Sequence, residues 1–199
     1  MARTRASDFE EKQRILLKEA AHVFASQGMD KASMSQIAKE AGVSKSLLYH
    51  YYPSKDALIF AIILDHLERM EATLASLTDN GEAPKARLRM LIGTTLEVYR
   101  GADDEHKVQL NAGPALTDAQ QAQIRTLERR IVAHFSAVIL QINPDLVTPE
   151  RSLLMPVTMS LFGMMNWVYM WFREGGAITR DEYADVATTL ILEGVKAVR

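Results

Sequence analysis

Hydrogen-bonding side chains crowd one short stretch of this 199-residue chain: Ser44, Lys45, Ser46, Tyr49, His50 and Tyr51 fall within eight positions. Donors set beside a lysine and aromatic rings suit phosphate oxygens and the edges of bases. Leu48 and Tyr52 stand four apart, so on a helix they share a face and can turn to the core. Such a helix needs a brace, and the residues just before it supply one. Ser33-Met34-Ser35-Gln36 reads as a capping box opening a short helix, with Ile37, Ala38 and Ala41 inward. Gly42 breaks that helix, Val43 begins the turn, and Ser44 is a natural N-cap for a second helix running to about Tyr52. Two short helices around a Gly-containing turn have the layout of a helix-turn-helix, whose second helix offers its N-terminal side chains to the major groove. Periodicity alone fits a generic αα-hairpin as well, and at this level both readings stand.

Other chemistries find less support. The histidines, at 22, 50, 66, 106 and 134, show no metal-ligand spacing among themselves or with carboxylates. No nucleophile elbow, P-loop or dinucleotide fingerprint is present. No metal and no cofactor is therefore expected, and an enzyme or a helical interaction module without DNA remains only an alternative. Asp103-Asp104-Glu105-His106 falls in residues 101–106, which read as a polar loop with solvated charges. The absence of cysteine excludes disulfides and thiolate chemistry. Net charge is -2, yet residues 1–56 carry nine Lys/Arg against seven Asp/Glu, and the rest carry 14 against 18. That basic excess at the front is too small to indicate nucleic acid by itself. No signal peptide is expected. The longest apolar stretch, Met155 to Phe172, contains Thr158, Ser160, Gly163 and Asn166 and reads as a buried helix rather than a membrane span. The expectation is a cytoplasmic protein with no membrane partner.

The elements around these residues are all helical. Leu16, Leu17, Ala20, Val23 and Phe24 recur at helical spacing, and Gly28 is placed to cap that helix. Pro53-Ser54 closes the second short helix and opens another, from about Lys55 to Ser76. Asp79-Asn80-Gly81 is a turn, and a helix follows from about Pro84 to Tyr99. After a break at residues 111–114, Thr117-Asp118-Ala119-Gln120 opens a long helix to about Ile142 as a second capping box. Thr148-Pro149 puts Pro at the first position of a helix predicted to reach Phe172. Gly175-Gly176 ends it, and Thr179-Arg180-Asp181-Glu182 caps a last helix.

At Gly28, Ser33, Ile37-Ala38, Ala41-Gly42-Val43-Ser44, Leu48-Tyr49-His50 and Ser54-Lys55-Asp56-Ala57-Leu58, the sequence resembles the N-terminal domain of the TetR family, over about residues 12–60 without a gap. The resemblance implies an all-α homodimer that binds a palindromic operator in double-stranded DNA and releases it on binding a small molecule. It also implies roles. Ser33 would touch a phosphate while capping its helix, and Ser44, Lys45 and Ser46 would lie at the groove. Tyr49 would contact the backbone, His50 a base or phosphate, and Lys55 a phosphate with help from its helix N-terminus. Ala32, where the family usually has Thr, and Met29, where it usually has an aromatic, depart from the pattern. Arg3, Arg5 and Lys12 read either as a basic arm reaching DNA or as a merely soluble tail.

The stretch Gly163-Met164-Met165-Asn166-Trp167-Val168-Tyr169-Met170-Trp171-Phe172-Arg173, with Gly175-Gly176 after it, resembles the C-terminal domain of the TetR branch that regulates steroid and fatty-acid breakdown. That resemblance implies an acyl-CoA thioester as candidate effector. Aromatics and flexible Met suit a pocket that adapts to an acyl chain. The same side chains at helical spacing also suit a core or dimer interface, and in the family the last two helices form the dimer's four-helix bundle. Candidate effector-binding residues are Phe162, Asn166, Trp167 and Trp171, with Tyr99, Asn111, His134 and Phe135 added for their place on the central helices. Arg87, Arg89, Arg125, Arg129 and Arg130 are available for phosphates, or form a solvated surface row. The sequence thus predicts an all-α protein: a three-helix helix-turn-helix domain over residues 1–58 and a ligand-binding, dimerising helical bundle over 59–199. The implied function is transcriptional repression.

Overall fold

The computed structural model describes the backbone of residues 2–78 and 80–198, and their side chains apart from those of 2–10 and Pro114. The side chains of Arg3 and Arg5 and the whole of Asp79 lie outside the described residues. Among the described residues there are helices and turns and no β-strand. In order, the helices are α1 (Ala2–Gln27), α2 (Met34–Glu40), α3 (Lys45–Tyr51), α4 (Lys55–Ala75) and α5 (Pro84–Val98). There follow α6 (Asp103–Asn111), α7 (Asp118–Ile142), α8 (Leu154–Asn166), α9 (Val168–Trp171) and α10 (Arg180–Ala197).

Packing groups them into two compact units, Met1–Glu68 with Gly101–Arg125, and Arg69–Arg100 with Thr126–Arg199. In the first unit α1 packs on α2 and α6, and α2 packs on α3. Its core takes Leu16, Leu17, Ala20, Val23 and Phe24 from α1, the periodic residues of the sequence, together with Ile37, Ala38, Leu48, Leu58 and Ile62. In the second unit α5 and α8 both pack on α10. Leu88, Leu91, Ile92 and Leu96 of α5 meet a core that includes Ile139, Leu161, Met165, Ala184, Ala187 and Val195.

Two segments differ from expectation. Of residues 101–106, expected as a loop, Asp103 to His106 are helical and open α6. Asp103, Asp104 and Glu105 occupy its first turn, where carboxylates offset the positive end of the helix dipole. Polarity masked a real periodicity: Glu105, Val108 and Ala112 are all buried, and so is His106, against the expectation of solvated charges. The helix predicted to start at Pro149 starts at Leu154. Thr148 Oγ1 accepts the Arg151 N–H at 3.3 Å and the Thr148 N–H donates to the Arg151 carbonyl at 2.9 Å. This local turn captures the backbone groups a helix would need. The same helix stops at Asn166, and after a break at Trp167 the chain resumes as the four-residue α9.

Candidate nucleic-acid interface and effector region

Local hydrogen bonds fix the reading head. The Ser33 hydroxyl accepts the Gln36 N–H at 3.3 Å, the Ser44 hydroxyl the Leu47 N–H at 3.1 Å, and the Ser54 hydroxyl the Ala57 N–H at 3.0 Å. Each cap satisfies a backbone donor that its helix cannot. Between α2 and α3, Gly42 takes φ +65°. Its N–H donates to the Lys39 carbonyl at 3.2 Å, while the Val43 N–H reaches the Ala38 carbonyl at 2.9 Å. That pair of bonds ends α2 with a left-handed residue, a conformation that costs other side chains strain. Leu48 and Tyr52 are buried as predicted, and the Tyr52 hydroxyl accepts a hydrogen bond from Gln13 Nε2 at 3.0 Å. Burial is the main cause holding the Tyr52 phenol above its ordinary range. α3 is thereby anchored along one face.

The opposite face carries the predicted contacts. Ser33, Ser44, Lys45, Ser46, Tyr49 and His50 are all exposed. The Lys45 ammonium lies 5.8 Å from the centroid of the Tyr49 ring, an attractive arrangement. The capping oxygens of Ser33 and Ser44 accept backbone bonds and keep their own O–H to donate outward. Lys55 is different. Its ammonium donates to the carbonyls of Met29, Asp30 and Ala32 at 2.7, 3.3 and 3.5 Å. It ties the start of α4 to the turn preceding α2, a role that sequence reading missed because the partners are main-chain atoms 23 to 26 residues away.

The candidate effector residues divide more sharply. In the second unit the buried Tyr99 hydroxyl donates to Asn166 Oδ1 at 2.7 Å. Burial pushes that phenol well above its ordinary pKa. Phe135 and Phe162 are buried edge to face, with ring centroids 5.0 Å apart. His134 is half-buried. Trp167 and Trp171 are instead 58% and 44% exposed, so they line no closed interior of this chain. In the first unit Asn111 is exposed, and its amide donates to the Lys107 carbonyl of its own helix at 2.7 Å.

Three of the candidate phosphate-binding arginines are already engaged, Arg125 by donating to Gln121 Oε1 at 3.2 Å. Arg89 pairs with Asp181 and Asp185, and Arg87 donates to the carbonyls of Leu77 and Thr78 at 2.8 and 2.9 Å. A groove of about 440 Å³ runs past Arg89, a phosphate candidate, and Gly93, Glu97, Arg100, Thr179 and Arg180, and none of the eight candidate effector-binding residues lines it. Among the described residues no cluster of three His, Asp or Glu stands ready to hold a metal ion. No helix there is long and apolar enough to cross a membrane.

Comparison with known proteins agrees with this geometry. Residues 16–62 match the family described as bacterial regulatory proteins, tetR family, and residues 81–195 match the tetracyclin repressor-like C-terminal domain. A TetR-family transcriptional regulator from Bordetella parapertussis 12822 has a similar crystal structure, with a TM-score of 0.82 and 30% identity over 94% of this chain and 97% of that one. AibR, solved in complex with isovaleryl coenzyme A and operator DNA, gives 0.75 and 25% over 90% and 97%. The transcriptional repressor KstR2 of Mycolicibacterium smegmatis is 20% identical over 90% of this chain and 88% of its own length. Other curated relatives are spanned only in part, 45% of one and 56% of another. These relatives are regulators of transcription, not enzymes. The chain belongs to the TetR family of transcriptional regulators, with a helix-turn-helix DNA-binding region at its N-terminus and a helical C-terminal domain.

Proposed function

We propose that this protein is a repressor that binds a palindromic operator as a homodimer in the cytoplasm and releases it when a small effector, an acyl-CoA thioester, binds. The observation that carries the reading is the exposed polar face of α3, anchored by the buried Leu48 and Tyr52 and started by the Ser44 cap. Ser44, Lys45 and Ser46 are assigned to the major groove and Ser33, Tyr49 and His50 to the phosphates and adjoining edges. The functional division is drawn at residues 1–58 for DNA and 59–199 for effector and dimer. A second copy is assigned to the apolar face of α8 and α10, where Met155, Met159, Val186 and Leu190 are exposed at helical spacing. A two-fold dimer would present two copies of α3 to successive grooves.

The acyl-CoA assignment draws on AibR and on the aromatic interior around Phe135 and Phe162. Tyr99 and Asn166 are assigned to orient the ligand, with His134 at its edge, and Trp167 and Trp171 to the dimer. Arg129 and Arg130, both exposed, are assigned to the phosphates. Effector binding acts through α4, which begins at Lys55 beside the reading head. Linkage then requires operator to weaken effector binding by the factor with which effector weakens operator. Selection of genomic fragments by the purified protein tests the reading. A shared inverted repeat, released by acyl-CoA thioesters, is expected. Failure to enrich any sequence, with or without those thioesters, would refute it.

A further inference from the structure

On α3 one exposed side chain has no hydrogen-bonding capacity. Leu47 is 39% exposed, between the exposed Ser46 and the buried Leu48. At 100° per residue, Leu47 lies about 100° from Leu48 around the helix and flanks Ser46 and His50 on the outward face. Its own N–H is held by the Ser44 cap at 3.1 Å, so it sits in the first turn, the part of such a helix that meets base edges. The neighbouring polar side chains can choose among base edges by donating to N7, O6 and O4 and, through hydroxyl oxygens, accepting from the exocyclic amines. They cannot see the one apolar feature of the major groove, the 5-methyl group of thymine.

We infer that Leu47 reads the 5-methyl group of a thymine in each half-site and is a specificity-determining residue of the operator interface. The inference rests on the proposed role of α3 in DNA binding. The contact works by burial. Docking removes the Leu47 side chain from water in any case, and a thymine methyl opposite it gives that surface an apolar partner. A cytosine at the same place presents a polar edge and no methyl. The discrimination is worth about fourfold per half-site, the transfer free energy of one buried methyl-sized group.

The test uses the full-length protein and the duplex it selects from genomic fragments. Each thymine is replaced in turn by 2′-deoxyuridine, which keeps the base-pair hydrogen bonds and deletes only the methyl. Binding of wild type and Leu47→Ala to each duplex completes a double-mutant cycle. One symmetric pair of thymines is expected to lose about fourfold in affinity per half-site with wild type, and nothing with Leu47→Ala. Leu47 is at the surface, so the variant keeps the fold, and its helical circular dichroism checks this. If no thymine is sensitive, or if the sensitivity persists in Leu47→Ala, Leu47 is not the reader while DNA binding by α3 stands. If no sequence is selected at all, both readings fall together.

Discussion

The reading head and the effector region handle polar side chains in opposite ways. In the first, serines, a lysine, a tyrosine and a histidine stand outward on α2 and α3, and what is buried there is the apolar footing of Leu48 and Ile37 with the ring of Tyr52. In the second, the polar groups of interest are inside: the Tyr99 hydroxyl meets Asn166 Oδ1 at 2.7 Å, and Thr158 and Thr188 bond back to carbonyls of their own helices. An outward polar face on a rigid base is made to exchange water for another solvated surface. An inward polar pair in an apolar interior must be satisfied by the protein or by a guest, since an unmet buried group costs about 1–3 kcal/mol. The first arrangement suits a large charged partner that stays outside; the second suits a small molecule taken in.

The largest effect expected from this contrast is in the aromatic interior. Phe135→Ala removes a fully buried ring that packs edge to face on Phe162. Denaturant unfolding should show a loss of about 3–5 kcal/mol. A loss below about 1 kcal/mol would mean the ring lines a space that is already open, and would move Phe135 from core to pocket wall. Next comes the Tyr99–Asn166 pair. Tyr99→Phe deletes the hydroxyl from which Asn166 Oδ1 accepts and should cost about 1–3 kcal/mol, and the same change in an Asn166→Leu background should cost much less. If the cost is the same in both backgrounds, the bond contributes nothing and the contrast weakens. On the outward side the expected change in stability is smaller: Ser44→Ala should cost about 1 kcal/mol by loss of the Leu47 cap, and should reduce operator affinity as well. Stability lost with operator affinity intact would detach the cap from the interface.

The reading head was legible in the sequence because its geometry is made locally. Ser33, Ser44 and Ser54 each cap a helix within three residues, Gly42 takes the positive φ that its turn demands, and Thr117 and Thr179 open α7 and α10 as their spacing predicts. The effector region was not. Whether a tryptophan faces core, pocket or partner is set by packing between helices far apart in sequence, and Trp167 and Trp171 prove to be exposed although their spacing matches a buried stripe. The start of α6 was read as a loop because its four polar residues in a row include two buried ones, Glu105 and His106, that composition marks as solvated. The break between α8 and α9 at Trp167 leaves no composition signal comparable to a proline.

Lys55 marks the boundary between those two kinds of legibility, and its expected effect is the smallest. The TetR resemblance gives it a phosphate, yet its ammonium is spent on the carbonyls of Met29, Asp30 and Ala32. A cation that neutralises a phosphate releases counterions, so its removal lowers the salt slope of log K by about one per contact. Lys45, exposed on α3 beside Tyr49, should behave in that way when changed to Ala if it reaches the backbone, and should alter sequence preference if it reaches a base. Lys55→Met should instead weaken operator binding evenly across salt concentrations, leaving the slope unchanged, because what it loses is the tie between the start of α4 and the turn before Ser33. Affinity measured against salt for the two variants decides the matter. A slope that falls with Lys55→Met would show that operator binding draws the ammonium off its carbonyls and onto a phosphate. That would make Lys55 part of the outward face after all.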